Sequence, residues 1–335
     1  MVSLLDVARH AGVSAATVSR VLSGGAPVAE ETRAHVMRSV TELGYRPNAI
    51  AQSLRRGRGR SVALVTGDIE QGIYAALAKE VQVKLAEVDL DLMLFDMAHS
   101  EERLSHLLER SASLGLRGLL LATPHRMRID DLLSLRQAAS KAGVFTLSVS
   151  QRLDKYGIPS IVPDDVAGAG TAMRHLLERG REPVAFLGRI TTSAVGGLRF
   201  EGYRNALGAA GIEIDEALVW DIARGYRSEA GYEAVAAALG RGLQFGAVLA
   251  ASDELALGGM AAAFDAGRRI PEDVAFVGVG GLRWGAYTRP ALTTVSQDVQ
   301  SLASAVGAAF AMLSEGRDIP LLTLVQPHLV QRGSS

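Results

Sequence analysis

The 335-residue sequence contains no cysteine. That excludes disulfide scaffolds, thiolate metal sites and cysteine nucleophiles, and it fits a reducing compartment. No apolar run approaches the roughly 18–20 residues of a membrane span. The opening Met1-Val2-Ser3-Leu4-Leu5-Asp6 lacks a charged-then-apolar signal segment. With 21% charged and 48% hydrophobic residues the composition is not that of a disordered chain, and the length suits two domains with a small appendage. A soluble, cytoplasmic protein with no membrane partner is expected. Lysine is missing from residues 1–60, yet this stretch holds nine arginines against four acids, a net +5. The whole chain's −1 then leaves −6 for the remainder. A basic head on an acidic body is the asymmetry expected when one end meets phosphate. A solvated basic face is the plainer alternative.

Signs of catalysis are also wanting. Gly278-Val279-Gly280 starts like a dinucleotide fingerprint, but Arg283 stands where the third glycine belongs, and the segment lies late in the chain. The seven histidines (10, 35, 99, 106, 125, 175 and 328) show no metal-ligand spacing on one helix face. There is no Gly-x-Ser-x-Gly elbow. Neither an enzyme activity, a cofactor nor a metal is expected. His125, after Pro124 at a strand end, reads as a solvated loop histidine, with contact to a ligand as the alternative.

What is present is patterned. Ser3 can cap a helix from Leu4 to about Ala11, with Leu4, Val7, Ala8 and Ala11 on one face and Gly12 as its left-handed stop. Ser14 can cap a second helix to about Leu22, with Val18, Val21 and Leu22 inward and Ala15, Ala16, Ser19 and Arg20 outward. Two short helices joined by a glycine turn are a helix-turn-helix, whose second helix enters the major groove. A third helix, from about Glu30 to Leu43, closes the small core with Val36, Val40 and Leu43. Residues 49–54 suit one or two helical turns, too short to persist alone in water. A basic linker, Arg55-Arg56-Gly57-Arg58-Gly59-Arg60, follows.

From Ser61 the chain alternates short apolar strands with amphipathic stretches. Val62–Val65, Leu90–Phe95, Gly118–Leu121 and Val144–Leu147 form one expected set. Val184–Leu187, Ala247–Ala250 and Val274–Val277 form another. Continuously apolar strands are those of parallel sheets covered on both faces, which bind ligands at their carboxyl ends. Two such sheets imply two lobes with a cleft between them.

Leu5-Asp6-Val7-Ala8, Ala11-Gly12-Val13-Ser14, Thr17-Val18-Ser19-Arg20-Val21-Leu22, Thr32-Arg33 and Glu42-Leu43-Gly44-Tyr45-Arg46-Pro47-Asn48 together resemble the LacI/GalR family of bacterial transcription regulators. The likeness runs on through Pro290-Ala291-Leu292-Thr293-Thr294-Val295 to Leu329-Val330-Gln331-Arg332-Gly333-Ser334, so it covers nearly the whole chain. It implies an α/β fold: a small all-α helix-turn-helix head joined by a hinge helix to a two-lobed body, periplasmic-binding-protein-like and of type I, with parallel sheets. The head is expected at 1–46, the hinge helix and linker at 47–60, and an effector-binding and dimerisation domain at 61–335. Within it the first lobe spans about 61–160 and 293–320, the second about 161–292 and 321–335. The three crossovers fall near Pro159–Ile161, Thr293–Val295 and Pro320–Thr323. The implied protein is a repressor that binds a palindromic operator in double-stranded DNA as a homodimer. No leucine-rich tetramerising helix follows Ser335, so the dimer is the expected assembly.

By position, Ala15, Ala16 and Arg20 match the family's base-reading residues. Arg20 has the fork for guanine O6 and N7, and the two alanines offer only apolar contact. Ser3, Ser14, Thr17, Ser19, Ser23 and Tyr45 resemble phosphate-contacting positions, and ordinary capping is the alternative for the hydroxyls. Asn48, Ala51, Leu54 and Arg55 fall on the hinge. The leucine equivalent to Leu54 wedges into the minor groove in the family, offsetting unstacking with a larger wrapped surface.

The expected effector pocket departs from the family. Many members carry aspartate after the last strand of the second lobe, where this chain has Gly278-Val279-Gly280-Gly281. Ser150 replaces another frequent acid, and the usual Asn-Asp pair is Ser252-Asp253. Arg199 sits at the ligand-clamping arginine, and Tyr74 and Tyr226 fall where rings stack on the ligand. Asp68, Ser193 and Gly280 complete the expected lining. Fewer carboxylates and a retained guanidinium favour an anionic small-molecule effector, a sugar acid or sugar phosphate, with Arg189 and Arg283 nearby. A neutral sugar or nucleoside stays open. The rivals are an effector-independent DNA-binding regulator with a degenerate pocket and, from another class, a solute-binding protein.

Overall fold

The computed structural model describes residues 2–23, 28–45, 59–97, 100–223 and 225–335. They fall into two compact units, one holding the three N-terminal helices and the other beginning at Arg60.

In the first unit α1 (Leu4–His10), α2 (Ala15–Ser23) and α3 (Glu30–Glu42) surround a small aliphatic core. A capping box starts α1: the Asp6 N–H donates to the Ser3 hydroxyl at 3.3 Å, and the Ser3 N–H donates to the Asp6 carboxylate at 2.9 Å. Gly12, at φ +60, supplies the left-handed step that ends α1. The Ser14 hydroxyl then accepts the Thr17 N–H at 3.1 Å and starts α2. Val7, Val18 and Val36 lose all exposure to solvent, one from each helix, so the three helices close on one another, with no strand among the described residues of this unit. Glu30 and Glu31 lie in the first turn of α3, where the helix dipole favours acids.

The second unit has two lobes. In chain order, β1 (Ser61–Thr66), α4 (Gly72–Ala86), β2 (Asp91–Asp96), α5 (Glu101–Glu109), β3 (Leu116–Ala122), α6 (Ile129–Lys141), β4 (Phe145–Ser148) and β5 (Ser160–Pro163) build most of the first. The second comprises α7 (Asp165–Glu178), β6 (Val184–Gly188), α8 (Ala194–Ala209), β7 (Val219–Asp221), α9 (Ser228–Gly240), β8 (Ala247–Ala250), α10 (Asp253–Asp265), β9 (Ala275–Gly280) and β10 (Thr293–Ser296). The chain returns to the first lobe for α11 (Val299–Ser314) and β11 (Leu322–Val325), and β12 (His328–Val330) lies in the second.

The first sheet has the order β11-β5-β4-β3-β1-β2 and is parallel throughout. The second runs β12-β10-β9-β8-β6-β7, parallel except for the β10–β12 pair. Strands β3, β6 and β8 are buried nearly end to end, as helices on both faces require. The first core packs Leu64, Leu120 and Leu147 with Val81 and Leu85 of α4 and Phe310 of α11. The second gathers around Phe186, Tyr203, Leu249 and Phe276.

The crossovers lie a few residues beyond the positions expected from the sequence. The chain leaves the first sheet after Pro163, the second after Ser296 and the first again after Val325. Hence β5 and β11 belong to the first lobe, and β10 to the second, which corrects the expected boundaries near 161, 293 and 321. The reason is that Ile161, Thr293 and Thr323, expected in the links, pair within the ladders: Ile161 with Thr323, and Thr293 with Val277.

Candidate functional sites

On the first unit, α2 presents Ala16 and Arg20 to solvent. Ala15 is half-buried and packs against the head core, so it has less surface for a partner than its outward register suggests. The small hydroxyls already have work within the head. Ser3 holds the capping box, and Ser14 caps α2 while its hydroxyl meets that of Thr17 at 2.9 Å. Ser19 is half-buried, Ser23 is the last residue of α2, and Tyr45 packs against the head core. Asn48, Ala51, Leu54 and Arg55 lie outside the described residues.

In the second unit the lobes meet over a cavity of ≈ 70 Å³. Six of the residues expected there line it: Tyr74, Ser150, Arg199, Tyr226, Asp253 and Gly280. Asp68 and Ser193 do not. Asp68 instead pairs with Arg227 of the other lobe, its carboxylate accepting from that guanidinium at 3.3 Å. Ser193 caps α8 from a fully buried position, accepting the Gly196 N–H and the Tyr226 hydroxyl and donating to the Pro124 carbonyl.

That last bond belongs to a seam of backbone contacts between the lobes. His125 pairs with Ser193 as an isolated bridge, the Ala194 N–H donates to the Pro124 carbonyl, and the Arg126 N–H donates to that of Thr192. His125 is therefore a half-buried seam residue, with Nδ1 3.5 Å from Arg189, rather than a solvated loop histidine.

The charged lining shows how the retained guanidinium is held. The Arg199 Nε donates to Asp165 at 2.7 Å, and Nη1 donates to the Ala251 carbonyl at 2.5 Å. Both partners of this ion pair are buried. Burial opposes charge on Arg199, yet Asp165 holds its protonated form above the ordinary value. Burial pushes the Asp165 carboxyl up, against the pull of Arg199. The retained guanidinium is thus already neutralised by an acid from the start of α7. Arg189 is buried and placed over the Tyr226 ring with Nε on Thr192, and Arg283 is exposed and does not line the cavity.

Two further carboxylates face the cavity. Asp253 accepts the Thr294 hydroxyl at 2.5 Å and the Leu282 N–H at 2.6 Å, so it staples the loop after β9 to β10. A Cβ on Gly280 would come within 3.2 Å of that carboxylate, which explains the bare backbone in the cavity wall. Glu254 accepts the Gly72 N–H at 2.9 Å, from the opposite lobe. Burial raises the pKa of both acids, only partly offset by these bonds. Asp165, Asp253, Glu254 and Arg199 all come from the second lobe. Against them the first lobe sets Ile73, Leu77, Val299 and Leu302, with Gln71, Tyr74 and Ser150 as its uncharged polar groups. Tyr74 is 6% exposed, and its hydroxyl finds no hydrogen-bond partner among the described residues. Burial raises its pKa, so it is a neutral hydroxyl aimed at the cavity.

Asp165 and Glu254 were not among the site residues expected from the sequence. Asp165 follows Asp164, the N-cap of α7, at the carboxyl end of β5, and that placement was the available signal. Nothing local marks Glu254, whose role depends on the other lobe arriving.

The family description "Bacterial regulatory proteins, lacI family" matches residues 3–48, and "Periplasmic binding protein-like domain" matches residues 173–335. The HTH-type transcriptional regulator AscG of Escherichia coli is 31% identical over 337 residues, covering 100% of this chain and 98% of its own. The HTH-type transcriptional regulator GalS of Salmonella typhimurium is 32% identical, covering 100% and 96%. Among solved structures, the lac repressor dimer bound to operator and the anti-inducer ONPF superposes with a TM-score of 0.88 at 25% identity, over 99% of this chain and 98% of that one. A complex of the transcriptional regulator CelR with cellobiose gives 0.73 at 30% identity, over 100% of both.

Proposed function

Because the chain belongs to the LacI family of bacterial transcriptional regulators, we propose that it is a repressor that binds a palindromic operator as a homodimer, under the control of a small effector between its lobes. The observation that carries this reading is the combination, in one chain, of a helix-turn-helix presenting Ala16 and Arg20 with a body whose lobes enclose a partly polar cavity. In this reading α2 enters the major groove, with Arg20 donating to a guanine edge. Phosphate contacts from the head's hydroxyls and Tyr45 orient it. Leu54 opens the minor groove at the operator centre.

The effector is an uncharged, hydroxyl-bearing molecule. An acid or a phosphate ester would meet Asp253 and Glu254 with no free countercharge, since Arg199 is spent on Asp165. Tyr74 and the second carboxylate oxygen of Glu254 suit hydroxyl groups instead. The relative solved as a complex with cellobiose makes a neutral sugar the first class to try. An effector distinguishes two lobe arrangements by binding one more tightly, and only such a difference shifts operator affinity.

The test selects a duplex from a random library with the full chain, then measures operator affinity against matched neutral sugars, sugar acids and sugar phosphates. A change with a neutral sugar and none with its acid or phosphate supports the reading. A change with the charged partners alone refutes the neutral assignment. The small cavity favours one second reading, a regulator without an effector, and silence across a broad neutral panel would support that instead.

A further inference from the structure

The two sides of the cleft are closed by different means. On one side, backbone groups of Pro124–Arg126 pair with those of Thr192–Ala194, and sequence changes leave such bonds in place. On the other, residues 68–72 of the first lobe meet the second through side chains. Here Glu254 reaches across to the Gly72 N–H, the first residue of α4. Outside it, Arg227 pairs with Asp68 and Glu70.

Gly72 carries an independent record of the same closure. A Cβ at this position would lie 2.6 Å from Trp284 and 3.0 Å from Leu282, both in the second lobe. Its φ does not call for glycine, and glycine weakens a helix, so the absent side chain answers to space. The backbone of α4 comes this near to the second lobe only because position 72 is bare. At the same point Glu254 lines the cavity and is the one carboxylate there whose bond crosses to the other lobe.

We propose that Glu254 is the latch of the cleft: its carboxylate, seated on the Gly72 N–H with Trp284 packed over that glycine, sets the fraction of molecules whose lobes are closed. In the outer cluster Arg227 and Glu70 are exposed and screened, with only Asp68 withdrawn from solvent, so it adds less. The Glu254 contact is half-buried and charge-assisted, which makes it the stronger one. The latch also rations access: ≈ 70 Å³ is well below the roughly 300–1,000 Å³ of ordinary ligand pockets, so an occupant enters when the latch is open. The inference rests on reading the cavity as the effector site, and it concerns which residue governs that site.

The absence of native cysteine allows a direct test on the full chain. Cysteines introduced at the exposed Lys141 and Glu233, one in each lobe, carry spin labels whose distance distribution is measured without ligand. The parent should show mostly a short distance. Gly72→Val should displace the distribution several ångströms outward. Glu254→Ala should raise the open population about tenfold or more, and Arg227→Ala less than about fivefold. If Gly72→Val does not fold, Glu254→Ala and Glu254→Gln, which keeps a weaker acceptor, carry the test. Parent-like distributions for Gly72→Val and Glu254→Ala overturn the latch, as does an Arg227→Ala effect exceeding that of Glu254→Ala. Operator affinity of the same samples separates the two claims. Opened lobes with unchanged affinity leave the latch standing and refute effector control of DNA binding. Unchanged lobes refute the latch whatever the DNA does.

Discussion

The two units place their charges in opposite ways. In the head the arginines lie outside: Arg9, Arg20 and Arg38 are exposed around a core of valine and alanine. In the body the decisive charges are inside, Arg199 against Asp165 and Asp253 against the loop after β9. The difference fits what each unit is proposed to read. A polyanion approached from solvent is met by exposed cations that stay hydrated until contact. A small molecule enclosed by protein is met by groups that were desolvated when the chain folded, and each needs a partner in advance.

The largest expected effect comes from breaking that inner arrangement. Arg199→Leu leaves Asp165 buried with no countercharge and should destabilise the body by about 3–5 kcal/mol, read by chemical denaturation. Denaturation like the parent's would mean that the pair contributes nothing. The outer arrangement should behave in the reverse sense. Arg20→Ala should weaken binding to the selected operator by about 1–3 kcal/mol at its matched base pair, with the melting temperature unchanged. Equal losses on operator and scrambled DNA would reduce Arg20 to a phosphate contact.

Much of the fold is legible in the sequence because its signals are local. Ser3 with Asp6, Gly12 and Ser14 mark the helix ends of the head through bonds spanning three residues. The long apolar strands declare themselves by composition. The short β5, β7, β10, β11 and β12 do not, since each is interrupted by or made largely of polar residues or proline, unlike the unbroken apolar run of the equally short β8. The site is less legible for a similar reason. Arg199 and Tyr74 can be picked out one at a time, but the neutralising Asp165 stands 34 residues away and Glu254 finds Gly72 182 residues away. A charge that looks available in sequence is spent in the fold, and this is what moves the proposed effector from an anion to a neutral molecule.

Smaller effects sharpen the comparison. Ser3→Ala removes the head's capping box and should cost about 1 kcal/mol there. Hydrogen exchange should show faster opening of α1 while amides of the body keep their rates. Acid should divide the carboxylates in two. Asp6 is held below its ordinary value by the Ser3 hydroxyl and backbone, and Asp273 is held at about 2 by Arg269. Such groups stabilise the fold above their unfolded value of 3.8, and that support is lost as pH falls through the folded value. Asp165, Asp253 and Glu254 are raised by burial, so their contribution is present at low pH and lost as pH rises through their folded values. Carboxyl-carbon NMR titration should show the first pair titrating below model peptides and the other three above them. A single common value would erase the distinction.

The central claim is that an outward, basic head reads sequence. Fluorescence anisotropy of the full chain on the selected palindromic duplex and on its scrambled counterpart, at one physiological salt concentration, tests it most directly. The affinity should be at least about a thousandfold higher for the selected duplex. Equal affinities, declining together as salt is raised, would contradict it and leave only a cationic surface.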